Sequence, residues 1–126
     1  MKNQSENVIL KLSFQFALDI VEFTELLNDK RKYVLSKQLM KSGTSIGANV
    51  REAQGAESKN DFIHKLKISY KEAEETEYWL DICKNSKGYL NPGKLSEEII
   101  VLKKILARII ISMKQKDWFE AITSKK

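Results

Sequence analysis

The residue types that carry most enzyme chemistry are scarce in this sequence, which has one histidine, His64, and one cysteine, Cys83. On a single long helix, nineteen residues of separation correspond to roughly 28 Å of helical rise, so the two cannot meet as base and nucleophile within one chain. Asp61 lies three residues before His64, but two ligands do not make a metal site. One histidine also excludes the di-iron arrangement of helical bundles. We therefore expect no enzyme activity, no metal and no cofactor.

The stretch KSGTSIGANVREAQGA, residues 41–56, has the glycines of a phosphate-binding loop without its pattern. A Walker loop requires Lys and then Ser or Thr after its last glycine, whereas Gly47 precedes Ala48 and Asn49. Apolar residues continue at helical spacing through the stretch, and no strand precedes it as a dinucleotide site would require. We interpret the stretch as helix.

Gly43 and Gly47 lie four residues apart and so share one face of this helix. Each lowers helix stability by about 1 kcal/mol relative to alanine, so packing has to compensate. The pair predicts a groove beside Ile46 and Val50 that accepts a neighbouring backbone or a bulky side chain. The face is wider than one helix partner needs, which predicts a second contact with another subunit.

Asn49 and Glu52 are polar residues on or beside the same face. We interpret Asn49 as an interior amide that fixes the register of the helix, with a ligand role as the alternative. Both belong, with the glycine pair, to the predicted packing and oligomer contact.

The formal net charge is +5 and the pI is near 9.2, a balance that favours polyanionic partners. Residues 30–41 contain five basic residues and no acid, whereas acidic residues concentrate in the middle of the chain. Tyr33 is a candidate for stacking on single-stranded bases, with burial as the alternative. The candidate nucleic-acid contacts are basic residues of the second and fourth helices: Lys37, Lys41, Arg51, Lys103, Lys104, Arg108 and Lys114. An ordinary charged surface is the alternative interpretation.

Apolar residues recur at steps of three and four through four segments, which is the spacing of amphipathic helices. Ser58 and Asp61 form a capping pair, Gly88 can end a helix, and Pro92 suits a first helical position with Asn91 as its cap. The predicted helices are about 5–28, 33–54, 59–86 and 93–115, with a tail at 116–126. Their short connections predict one all-α domain over residues 1–126, an antiparallel up-down-up-down four-helix bundle with a left-handed twist.

The longest apolar run is interrupted by Arg108 and is shorter than the roughly 18 residues that span a bilayer. No basic and then apolar leader opens the sequence, and a lone cysteine cannot form an internal disulfide. We expect a cytoplasmic protein with no membrane segment.

Residues 36–83 resemble the four-helix-bundle family of the 23S rRNA intervening-sequence proteins. The family's hallmark is a glutamine, a basic residue, then Ser-Ile-x-x-Asn-x-x-Glu and a later aromatic-rich helix. The matching positions are Gln38, Lys41, Ser45, Ile46, Asn49, Glu52 and Phe62, then Lys71, Glu72, Glu75 and the sequence YWL at 78–80. Ala53 stands where the family often has glycine, a departure that affects a helix cap rather than the core.

This resemblance implies a bundle that assembles as a ring, commonly a pentamer, and no enzyme. It also implies kinship with the accessory proteins of diversity-generating retroelements, which are basic rings that bind nucleic acid and a reverse transcriptase. We therefore expect a homo-oligomer that binds RNA or DNA weakly and without sequence preference. The alternative is an oligomeric scaffold with no nucleic-acid role, which presents the acidic third helix, or the tail with Trp118 and Phe119, to a protein partner.

Overall fold

The computed structural model describes residues 4–123, and the side chains of residues 8–116. The described chain forms four helices: α1 (Gln4–Asp29), α2 (Tyr33–Ala53), α3 (Lys59–Asn85) and α4 (Leu95–Thr123). Each helix packs against its neighbours in sequence and α4 packs back on α1, while within these residues the diagonal pairs do not touch. The predicted all-α four-helix bundle is confirmed.

Capping chemistry explains how α3 begins. The Ser58 hydroxyl accepts a hydrogen bond from the Asp61 N–H at 3.0 Å, as the sequence predicted. The helix ends at Asn85, slightly earlier than expected, and Gly88, with φ +85°, belongs to the following turn instead of the helix end. That positive φ is readily available only to glycine.

The start and the end of α4 both differ from the prediction. Asn91 does not cap the helix at Pro92, because its Oδ1 accepts from the Gly93 N–H at 2.8 Å and closes a turn in which Gly93 has φ +59°. The helix begins after that turn, at Leu95, and continues to Thr123. The expected tail at 116–126 is therefore wrong as far as residue 123, since no glycine or proline interrupts residues 94–123. The side chains of Trp118 and Phe119 lie outside the described residues.

The connection between α1 and α2 contains an unusual residue. The N–H of Lys32 donates to the Leu27 carbonyl at 2.8 Å and the N–H of Arg31 donates to the Asn28 carbonyl at 2.9 Å. This is the Schellman pattern of a helix end, whose left-handed position is normally glycine. Here that position is Arg31, with φ +60°.

The core contains hydroxyl groups as well as aliphatic side chains. Between α2 and α3, the buried Thr76 hydroxyl lies 2.9 Å from Ser42 Oγ, and Ser69 Oγ donates to the Ile46 carbonyl oxygen at 2.8 Å. Small hydroxyl side chains allow the helices to approach while their polar atoms stay bonded. Among the described residues, none of the helices combines the length and hydropathy needed to cross a bilayer.

Candidate nucleic-acid interface

The glycine face of α2 lies against α1 of the same chain. A Cβ atom at Gly43 would be 2.8 Å from Ile20 Cγ1, and one at Gly47 would be 3.1 Å from the Ser13 carbonyl oxygen. Both distances are shorter than an ordinary carbon contact. The close approach predicted from the glycine spacing is therefore made inside the subunit. The pair consequently gives no support to the expected second contact with another subunit.

The other residues of the predicted packing face have different surroundings. Ile46 and Val50 are fully buried. The half-buried Asn49 donates from Nδ2 to the Ser45 carbonyl of its own helix at 2.9 Å, so its amide does not bridge two helices. Glu52 is exposed and pairs with Lys65 of α3 at 3.1 Å.

The seven predicted cationic residues fall into two separate groups. Lys37, Lys41 and Arg51 are exposed on α2, whereas the other four are on α4, the helix diagonal to it. The Arg51 guanidinium lies 5.4 Å from the centre of the Phe14 ring on α1, a cation–π distance. One subunit therefore does not bring the seven side chains together.

On α4, the charge of Lys103 is already paired. Its Nζ lies 2.7 Å from Glu77 Oε1 and 5.6 Å from the centre of the Tyr70 ring. The hydrogen bond with Glu77 raises the pKa of Lys103, against an opposing effect of burial. Lys104, Arg108 and Lys114 are exposed. Lys103 therefore has less charge to offer a phosphate than these three.

A groove of about 350 Å³ runs between α3 and α4, lined by Lys67, Tyr70, Lys71, Ala107, Ile110 and Ile111. Lys67 is exposed at this groove, and Lys114 of α4 is also exposed. Contact with Lys114 and the charge of that residue, together with some loss of solvent, lower the pKa of Lys67. Two neighbouring ammonium groups beside an apolar groove form a site that an anion would stabilise.

Sequence reasoning missed Lys67 and Lys71 as members of this basic surface. Their four-residue spacing on α3 was a signal, but α3 was interpreted chiefly as an acidic face. Their significance depends on Lys114, which is 47 residues from Lys67 in sequence.

Cys83 and His64, the candidate nucleophile and base, do not form a site. Cys83 is buried, and burial raises the pKa of its thiol to about 11. A thiol with that pKa is almost entirely protonated at neutral pH and is a poor nucleophile. His64 is exposed near the opposite end of α3.

Comparison with known proteins identifies the family. The family model described as 23S rRNA-intervening sequence protein matches residues 5–110. A crystal structure of a protein of unknown function from the S23 ribosomal protein family of Bacteroides thetaiotaomicron is 41% identical, with a TM-score of 0.80. The match covers 85% of this chain and 98% of that one. No protein with a curated description is significantly similar. The chain belongs to the family of 23S rRNA-intervening sequence proteins.

Proposed function

We propose that this protein is a non-enzymatic, ring-forming helical bundle that binds RNA or DNA weakly and without sequence preference. It contacts the phosphate backbone through the α3/α4 basic face, which we define as Lys67, Lys71, Lys104, Arg108 and Lys114. The ring repeats this face and so multiplies weak contacts into useful avidity. The compartment we propose is the cytoplasm.

The observation that carries this proposal is that two exposed lysines, Lys67 and Lys71, line the groove between α3 and α4, with the charge of Lys114 near enough to lower the pKa of Lys67. Neighbouring like charges are unfavourable unless an anion lies between them, and a phosphate group has the required charge and several acceptor oxygens. The other members of the face are exposed. Such contacts hold a backbone without reading bases, because they never reach the base edges.

Support for assembly comes from α1. Phe14 and Leu18, one helical turn apart, are 51% and 45% exposed. A groove of about 390 Å³ opens beside Phe14 between α1 and α2, and Gly47 is one of its lining residues. Exposed apolar side chains next to a groove are typical of protein contacts. We propose Phe14, Leu18 and this groove as the contact between subunits, with five subunits as the family resemblance implies.

Fluorescence anisotropy with mixed-sequence RNA and DNA, between 50 and 200 mM salt, tests the binding. We expect binding at low salt that weakens steeply as salt rises. Lys104→Glu with Arg108→Glu should weaken it at least tenfold, whereas Lys11→Gln on α1 is the control and should not. Undetectable binding at 50 mM salt, or an unaltered affinity in the α4 double variant, would exclude the proposal.

Light scattering tests the assembly. We expect an oligomer for the unmodified protein and a folded monomer for Leu18→Glu, because this side chain is already half exposed and its replacement does not open the core. A monomer for the unmodified protein would exclude the ring.

A second candidate function is an adaptor that binds a basic protein partner, for which the family resemblance suggests a reverse transcriptase. The observation in its favour is Tyr78 on α3, which is 60% exposed and lies near the exposed Glu74, Glu75 and Asp81. Exposed tyrosine is enriched at protein interfaces. If nucleic acid does not bind, a Tyr78→Ser variant that loses a captured partner with a basic surface would favour the adaptor.

A further inference from the structure

Five of the 22 basic residues lie in the two connections at one end of the bundle. The α1–α2 connection, residues 30–32, consists of three basic residues, and the α3–α4 connection, residues 86–94, adds Lys87 and Lys94 without an acid. These five cations equal the net charge of +5, because the remaining residues hold 17 basic and 17 acidic side chains. We call residues 30–33 and 86–94 the double-loop end.

The two connections of the double-loop end are in contact. The Lys32 ammonium lies 4.5 Å from the centre of the Tyr89 ring, a cation–π contact between the two loops. This contact uses Lys32, while Lys30, Arg31 and Lys87 remain exposed. Burial and the charge of Asp19 raise the pKa of Glu98, and the nearby charge of Lys94 opposes that rise, so the Lys94 charge is partly offset. Lys30, Arg31 and Lys87 are therefore the cations of this end that are most available to bind a ligand.

The backbone at Arg31 is held in a conformation that favours glycine. Its φ of +60° places it at the left-handed position of the helix end, where arginine is unfavourable. A residue retained in a strained conformation is a reason to look for a function of its side chain. The guanidinium it projects is the phosphate-binding group with the most donors.

An aromatic side chain accompanies these cations. Tyr33, the first residue of α2, is 59% exposed, and the neighbouring Val34 is 80% exposed. Burial, the alternative considered from the sequence, therefore does not account for Tyr33. Exposed aromatic rings beside cations are the arrangement with which proteins hold single strands, because unpaired bases stack on the ring while the cations hold the phosphates. A duplex cannot offer its bases in this way.

We propose that the double-loop end binds single-stranded nucleic acid, with Lys30, Arg31 and Lys87 on successive phosphates and a base stacked on Tyr33. This inference rests on the proposed function in taking nucleic acid as the ligand, but it assigns a different surface and a strand preference.

The test measures anisotropy of a labelled twelve-nucleotide dT strand and of the corresponding dT–dA duplex, at several salt concentrations. Lys30→Gln with Lys87→Gln should weaken single-strand binding about tenfold and reduce the salt slope by about 1.4, roughly 0.7 for each phosphate contact on a single strand. Tyr33→Leu should weaken single-strand binding about tenfold with no change in slope or in duplex binding. Lys11→Gln, about 27 Å from the end of α1 by helical rise, is the matched control.

Arg31 provides a test that loss of folding cannot imitate. Arg31→Gly should raise the Tm, because glycine relieves the positive φ, and should weaken single-strand binding several-fold, because a phosphate contact is lost. Arg31→Lys should retain most of the binding. A glycine variant that is more stable and binds as well as the unmodified protein would overturn the assignment of Arg31.

The two proposals fail in different ways. If Lys104→Glu with Arg108→Glu weakens binding at least tenfold while the double-loop variants bind normally, the double-loop end is excluded and the α3/α4 basic face stands. Equal affinity for single strand and duplex that is unaffected by Tyr33→Leu also excludes it. Binding to anionic phospholipid vesicles but to neither oligonucleotide would exclude both.

Discussion

The α1/α2 and α3/α4 pairs are two different solutions to helix packing in one bundle. Along the α1/α2 contact, Gly43 and Gly47 have no side chain, and a Cβ atom at Gly47 would be only 3.1 Å from the Ser13 carbonyl oxygen. Along the outer part of α3/α4, long side chains such as Lys67 and Tyr70 leave a groove of about 350 Å³. A groove also opens at the rim of α1/α2, but the contact beneath it is full. Small residues thus bring the α1 backbone close to α2 beneath one groove, whereas long side chains line the groove of α3/α4.

The largest effect on stability should come from placing a leucine in the α1/α2 contact, compared with placing one in the α3/α4 groove. Gly47→Leu should lower the free energy of unfolding by about 3 kcal/mol, because the Ser13 backbone cannot move aside without separating α1 from α2. The leucine of Ala107→Leu extends into the open groove of α3/α4, so this substitution should change the free energy of unfolding by less than about 1 kcal/mol. Urea denaturation measures both. Similar losses in the two variants would remove the contrast between the pairs.

The titration of Cys83 on α3 tests whether water that enters the α3/α4 groove also reaches the core. Its thiol pKa is about 11 in the folded chain and 9.0 as the ordinary value. Between pH 9 and pH 11, the thiol therefore keeps its proton in the folded state and loses it in the unfolded state. Stability should fall as pH rises from 9 to 11, by about 1 kcal/mol at pH 10. In Cys83→Ala this part of the pH dependence should be missing. Identical pH profiles would mean that water reaches the thiol.

A smaller effect is expected for Gly43→Ala, where two contributions oppose each other. Alanine favours helix by about 1 kcal/mol, but its Cβ would lie 2.8 Å from Cγ1 of the fully buried, β-branched Ile20, whose rotamers are restricted. We expect a net loss of about 1 kcal/mol. Gly55→Ala is the control, since its Cβ would meet nothing closer than 3.8 Å and should slightly stabilise the protein.

A double-mutant cycle sharpens the result at Gly43. With Ile20→Ala the obstructing atoms are gone, so Gly43→Ala should become neutral or stabilising in that background. Additive effects of the two substitutions would show that Ile20 is not the cause of the strain.

Periodicity predicted the four helices and much of the core, because burial on a helix depends on spacing within one segment. The prediction was less accurate at the edges of the apolar face of each helix. Leu12, four residues before Phe16 and so at the spacing of the apolar face of α1, is 39% exposed, and on α3 the buried residue is Ile63, whereas Phe62, four residues before Leu66, is only partly buried. Sequence spacing predicts the centre of an apolar face, whereas packing against the neighbouring helices determines which residues at its edges are buried.

The candidate site was less predictable than the fold. The glycine spacing revealed that something packs closely on α2 but not which helix does so. The ion pair of Lys103 with Glu77, and the effect of the Lys114 charge on the pKa of Lys67, each involve residues of different helices. Spacing along one helix contains no information on such neighbours. The charge of the double-loop end likewise becomes visible only when two connections far apart in sequence are known to touch.

The smallest predicted effect concerns the ion pair that crosses α3/α4. Lys103 and Glu77 lie 2.7 Å apart, with 22% and 30% of their side chains exposed, so solvent screens much of their attraction. Glu77→Gln should lower stability by about 0.5 kcal/mol at low salt and by less at high salt. Because the pair raises the pKa of Lys103, its contribution is complete below the ordinary value of 10.5 and is lost as pH rises through the raised value. Lys104→Gln removes an exposed cation one residue further on and is the control, with no change expected.

The same ion pair also determines which cations of α4 are free to bind. Glu77→Gln releases the Lys103 ammonium, so nucleic-acid affinity at low salt should increase several-fold while stability decreases slightly. Lys103→Gln should weaken binding less than Lys104→Gln does, since the Lys103 charge is already satisfied within the subunit. If Lys103→Gln is the more damaging of the two, the ion pair opens when nucleic acid binds. The groove of α3/α4 would then be a surface that rearranges, in contrast to the fixed glycine contact of α1/α2.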